Sequence, residues 1–101
     1  MAWQRVASVA DVKADAGLDV KVGDKSLALF RVGENVYAVE GICPHAEALL
    51  AEGFIDGDNI ECPLHQALFH IPSGKCLGGP SDRDLVIFPV KIEGNDVLID
   101  V

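Results

Sequence analysis

Two short segments constrain this chain more than anything else in it: Cys43-Pro44-His45 and, after sixteen intervening residues, Cys62-Pro63-Leu64-His65. Each supplies one thiol and one imidazole, in the same order. The Cys-x-His and Cys-x-x-His spacings hold each pair close along the chain. A proline directly after each cysteine fixes φ and removes a backbone donor, which stiffens both turns. A binuclear iron–sulfur centre can be held by two Cys on one iron and two His on the other. On that reading Cys43 and Cys62 reach the inner iron, and His45 and His65 the outer one. A structural zinc ion is the alternative, since tetrahedral N/S sites suit Zn²⁺. The usual zinc signatures group Cys with Cys and His with His, whereas the order here alternates.

The rest of the chain bounds where such a centre could sit. With 101 residues it makes a single domain, 1–101, with a modest core. Half of the residues are hydrophobic, which suits a globular chain. The apolar runs are too short to span a membrane, and Met1-Ala2-Trp3-Gln4-Arg5 lacks the apolar core of a signal peptide. The expectation is a cytoplasmic protein with no membrane partner. Sixteen acidic residues against eight basic give a net charge of −8, which disfavours a nucleic-acid partner. Between Val32 and Gly74 there are seven acids (Glu34, Glu40, Glu47, Glu52, Asp56, Asp58, Glu61) and no Lys or Arg. That stretch contains both candidate ligand loops. It reads either as a solvated face or as a negative rim that steers a basic partner.

Three cysteines form no even disulfide framework. Two belong to the paired motif, and Cys76 is expected to act as a small buried hydrophobe. Three histidines leave only His70 beyond the motif. A mononuclear iron held by two His and a carboxylate cannot be built from one His, so His70 is read as a strand residue with no metal role.

Along the chain the pattern is of short strands. Trp3 to Ala7 and Leu18 to Val22 alternate apolar and polar residues. Val9 to Ala16 reads as a helical turn or a loop. Gly23-Asp24 turns the chain, and Gly33-Glu34-Asn35 joins the apolar run Ser26 to Val32 to Val36 to Val39, a hairpin signal. Glu47 to Glu52 reads as a helical turn ended by Gly53. An Asp-Gly turn in Phe54 to Asp58 precedes the short strand Asn59 to Glu61. Ala67 to Ile71 and Leu85 to Val90 read as strands. Glu93 to Asp96 turns into Val97 to Val101. The class is all-β, an antiparallel sandwich or partly open barrel, with the ligand loops inside one insertion at roughly 41–80.

The paired motif resembles that of the Rieske [2Fe–2S] proteins, and Gly78-Gly79-Pro80 lies where that family carries a Gly/Pro-rich third loop covering the cluster. The resemblance covers essentially the whole chain. It implies the Rieske fold, with a β-scaffold and a small inserted cluster-binding subdomain, and one [2Fe–2S] cluster held by Cys43, His45, Cys62 and His65. High-potential members add a disulfide between the ligand loops, whereas this sequence has Ala48 and Leu64 near those places. No Ser or Tyr follows His65 to donate hydrogen bonds to the sulfurs. Fewer donors leave more negative charge on the cluster, so the implied potential lies towards the low end of the Rieske range, about −150 mV.

A chain this short with one spare His cannot itself be an oxygenase, which leaves electron transfer. The resemblance is to the Rieske ferredoxins of bacterial aromatic-ring-hydroxylating dioxygenase systems. It implies a monomeric carrier that takes electrons from an NAD(P)H-dependent flavin reductase and passes them singly to a terminal oxygenase. The alternative is the small subunit of an assimilatory nitrite reductase, which shares the fold. The aromatic substrate is not legible, because a carrier never touches it.

Overall fold

The computed structural model describes residues 3–43, 48–63, 67–79 and 83–101. Its strands form three antiparallel sheets. The first joins β1 (Trp3–Ser8), β11 (Asp96–Asp100) and β10 (Val90–Glu93) in the order β1-β11-β10. The second is β2 (Leu18–Val22), β3 (Lys25–Val32), β4 (Asn35–Glu40) and β9 (Ile87–Phe88), in the order β2-β3-β4-β9. The third is β5 (Phe54–Asp56), β6 (Asn59–Glu61), β7 (Leu68–His70) and β8 (Cys76–Gly78), in chain order. The all-β, antiparallel reading of the sequence therefore holds.

Local chemistry closes the hairpins. The β3–β4 turn has Val32 paired with Asn35, so only Gly33 and Glu34 lie between the strands. Gly33 takes φ +62° there, a conformation that primed hairpin turns require and that side chains with a Cβ resist. The turns at 23–24, 57–58 and 94–95 repeat this two-residue plan, each with glycine first. The helical content expected near the termini of the loops is small: one 3-10 turn at Val9–Asp11 and another at Leu50–Glu52.

The second sheet is the wall between two cores. Alternate residues of β3 point to opposite sides, as strand geometry dictates. Ala28 and Phe30 join one apolar cluster with Leu50, Ile60 and Phe69. Leu27 and Leu29 join another with Val12, Val97 and Ile99. A strand buried on both faces reads as a continuous apolar run, which is how Leu27 to Phe30 reads.

Two expectations need correction. Leu85 to Val90 is not one strand: Ile87–Phe88 pairs with β4, Val90 pairs with β11, and Pro89 between them changes sheets. Proline has no N–H to give a ladder, so the pairing breaks there. Gly78, read as the start of the third loop, instead ends a strand, Cys76–Gly78, that pairs with β7 through a register irregularity.

Candidate metal centre

Both motif cysteines occupy the same local position. At the first loop Ile42 bridges Leu49, and the Cys43 N–H donates to the Ala48 carbonyl at 2.9 Å. At the second, Glu61 pairs with Leu68, and the Cys62 N–H donates to the Ala67 carbonyl at 2.8 Å. Each cysteine thus ends an antiparallel pair, with an alanine opposite and four residues of sequence between the two, 44–47 and 63–66. Those intervening residues include the two motif histidines. His45 and His65 lie outside the described residues, as do Glu47, Leu64 and Pro80.

The two thiols are buried in one apolar cluster with Phe30, Leu50, Ile60 and Phe69, and neither is in a disulfide. A thiolate is the form that binds a metal, and a bare thiolate in such surroundings would be costly. Two such groups, on matched loop ends in one cluster and not joined to each other, make a donor set suited to an iron–sulfur centre. The match Cys43/Ala48 and Cys62/Ala67 was present in the sequence as two Cys-Pro-x-x-x-Ala segments. The small alanine closing each loop was the missed signal.

The chain segment before Cys43 is fixed on two sides. On one, the Gly41 N–H donates to the Ser26 carbonyl at 2.8 Å, and a Cβ on Gly41 would meet the Ser26 backbone at 2.7 Å. On the other, Glu40 faces residues 83–86. Its N–H donates to the Val86 carbonyl at 2.9 Å, and its Oε1 accepts the Val86 N–H at 2.9 Å. Arg83 grips the same carboxylate at two points, Nη1 to Oε1 and Nη2 to Oε2, both at 3.0 Å. Hydrogen bonding from Glu40, and its charge, hold the Arg83 guanidinium above its ordinary range. Arg83 therefore stays protonated throughout the neutral range. Glu40, read as part of an acidic rim, is therefore a paired residue. Glu52 and Asp56 are exposed.

The remaining candidates fall into place. His70 is on β7, with Nδ1 2.7 Å from the Ser73 hydroxyl and Nε2 3.7 Å from Asp58 Oδ2. Cys76 is half-buried rather than buried, packed against the cluster of the two motif cysteines. Its N–H donates to Asp84 Oδ1 at 2.8 Å, which ties the start of β8 to the far side of the third loop. Several large apolar side chains near the loops are exposed, among them Ile42, Leu77 and Val86. Among the described residues no helix is long and apolar enough to cross a membrane.

Comparison with known proteins places these features in a family. Residues 2–89 match the model of the Rieske [2Fe–2S] domain. The ferredoxin component of the naphthalene 1,2-dioxygenase system of Pseudomonas putida is 37% identical over 99 residues, 98% of this chain and 95% of the relative. Among solved structures, the Sphingomonas yanoikuyae B1 ferredoxin superposes with a TM-score of 0.94 at 33% identity, covering 99% of each chain. A complex of reduced oxygenase and oxidised ferredoxin in carbazole 1,9a-dioxygenase matches with a TM-score of 0.88 at 36% identity, over 96% of this chain and 91% of that one. Nitrite reductase small subunits also match, at 24% and 20% identity, a level that shows the shared fold alone.

Proposed function

This chain belongs to the Rieske [2Fe–2S] family, and from that premise we propose that Cys43 and Cys62 hold the inner iron of its cluster, His45 and His65 the outer one. The protein is an electron carrier with one [2Fe–2S] cluster, an electron-transfer component and not a catalytic one. The bound cluster supplies one-electron chemistry, taking up and giving back a single electron. The chain's own residues keep water from the inner side, through the apolar cluster around both thiols. The observation that carries the ligand assignment is the matched placement of two buried, unlinked thiols at the ends of two hairpin-like loops.

The finer reading is of a low-potential carrier that receives electrons from an NAD(P)H-dependent flavin reductase and delivers them to a terminal ring-hydroxylating oxygenase. The named ferredoxin relatives of aromatic dioxygenase systems support it, as does the oxygenase–ferredoxin complex among the structural matches. We read it as a monomer in the cytoplasm; none of its three cysteines is in a disulfide, which suits a reducing compartment.

The test is analytical and then kinetic. The purified protein should contain two irons and two labile sulfides per chain, the content that defines this cluster. Cys43→Ser, Cys62→Ser, His45→Ala and His65→Ala should each abolish its visible and paramagnetic spectra. Stoichiometric zinc without sulfide would refute the assignment. Reduction by the flavin reductase should then slow as salt rises, because steering between exposed charges is screened over about 10 Å at 0.1 M. A flat response would move docking from the acidic residues to exposed apolar ones such as Ile42 and Val86.

A further inference from the structure

We propose that Arg83 is a positioning residue of the cluster: clamped on Glu40, it fastens the returning end of the third loop to the strand that delivers Cys43 and sets a fixed positive charge three residues before that ligand. The inference rests on the assignment of Cys43 as a cluster ligand.

The geometry is that of a strap. Residues 83–86 bond in two directions. Towards β4, Arg83 and Val86 together place three donors on the Glu40 carboxylate, at 3.0, 3.0 and 2.9 Å. Towards the β7–β8 hairpin, Asp84 Oδ1 accepts the Cys76 N–H at 2.8 Å, and the Leu85 N–H donates to the Gly74 carbonyl at 2.7 Å. The strap therefore joins the second sheet, where the first ligand loop departs, to the third sheet, which carries the second ligand loop.

Exposed ion pairs ordinarily contribute little, unless the contact is two-pronged and part of a network. Here both conditions hold, and the Glu40 side chain is only 21% exposed. The fork matters as well as the charge, because only a guanidinium meets both carboxylate oxygens at once.

The charge has a second effect. From Val32 to Gly74 the sequence offers no Lys or Arg, so a permanent cation near Cys43 must come from another part of the chain. Arg83 supplies one: its guanidinium is held at two points on Glu40, three residues before Cys43, where a negative charge attracts it. Coulombic attraction is mutual, so the guanidinium equally favours negative charge at Cys43 and on a cluster bound there. Adding an electron makes the cluster more negative. Arg83 should favour the reduced form, and Glu40, held against it, should oppose that.

Three variants of the cluster-loaded protein separate fork from charge. Arg83→Gln should shift the balance at a given potential roughly threefold towards the oxidised form, about 28 mV at 59 mV per tenfold. Glu40→Gln should shift it towards the reduced form. Arg83→Lys should leave the midpoint near that of the wild type, yet lose the two-point grip. Its Val86 amide should exchange faster, and its cluster should be lost faster to a chelator. A loop merely loosened would move the midpoint the same way in all three variants. That result, or three unchanged midpoints with full iron and sulfide, overturns the proposal. Wild-type protein without iron and sulfide would instead overturn the ligand assignment, and this inference with it.

Discussion

The loop that follows Cys43 and the loop that follows Cys62 close with the same bond to the same residue type, yet they are rooted in different ground. The first departs from β4, a strand paired on both sides and packed between two cores. Ser26 holds it on one flank and the 83–86 strap on the other. The second is the tip of β6 and β7, three-residue strands in a small sheet. Its stability comes from a few contacts: Ile60 opposite Phe69, both fully buried, and the Ile71 N–H on the Asp58 carbonyl at 2.7 Å. Each root has a glycine pressed on backbone. A Cβ on Gly41 would meet Ser26, and one on Gly53 would collide with the Glu61 carbonyl, one residue before Cys62. One loop is thus borrowed from the scaffold, while the other belongs to a hairpin too small to be stable alone. A cluster bound by both would brace the weaker one.

The largest expected effect follows from removing that brace. In protein stripped of iron and sulfide, amide protection should collapse across Asn59–Glu61 and Leu68–His70, and persist along β3 and β4. Hydrogen exchange of loaded and stripped protein measures this; equal losses in both regions would erase the distinction between the loops.

Next in size is Phe69→Ala, which empties the centre of the weaker side. Large-to-small changes of this kind cost about 3–5 kcal/mol. Denaturant unfolding of the loaded protein should show that loss, and cluster retention should fall with it.

The paired glycines give a smaller and sharper comparison. Gly41→Ala and Gly53→Ala should each cost about 1–3 kcal/mol, since the new methyl meets backbone that cannot step aside. Gly53→Ala should speed exchange at the Cys62 amide, and Gly41→Ala at the Cys43 amide. Exchange that rises at both amides in both variants would mean that the loops share one support.

The smallest effect concerns docking. Glu52 is exposed at the end of the 3-10 turn after the first loop. Glu52→Lys should slow reduction by the flavin reductase severalfold at low salt and leave the midpoint unchanged. Charge reversal at Asp15, distant in sequence from both loops, should change the rate little.

Much of this was legible beforehand because it depends on neighbours in the chain. The Cys-Pro-His and Cys-Pro-Leu-His segments carry their donors within four residues. The turns at Gly23, Gly33 and Gly94 are written in the residue that must take positive φ. Other features had no local mark. Cys76 to Gly78 carried no strand signal, because three residues running into Gly-Gly show no period, and only β7 makes them a strand. Glu40 looked like one more acid on a charged face, because its partner stands 43 residues away.

The sequence by itself determined the class of fold and the turns, and it named the four candidate donors, because hydrophobic alternation, turn chemistry and ligand type act over a few residues. The tertiary structure alone decided which strands share a sheet, that Pro89 passes the chain from one sheet to another, and that Arg83 closes on Glu40 beside the first ligand loop. Those outcomes depend on long-range register and on which surfaces are left to be buried once the local elements exist. No short window of sequence contains that information.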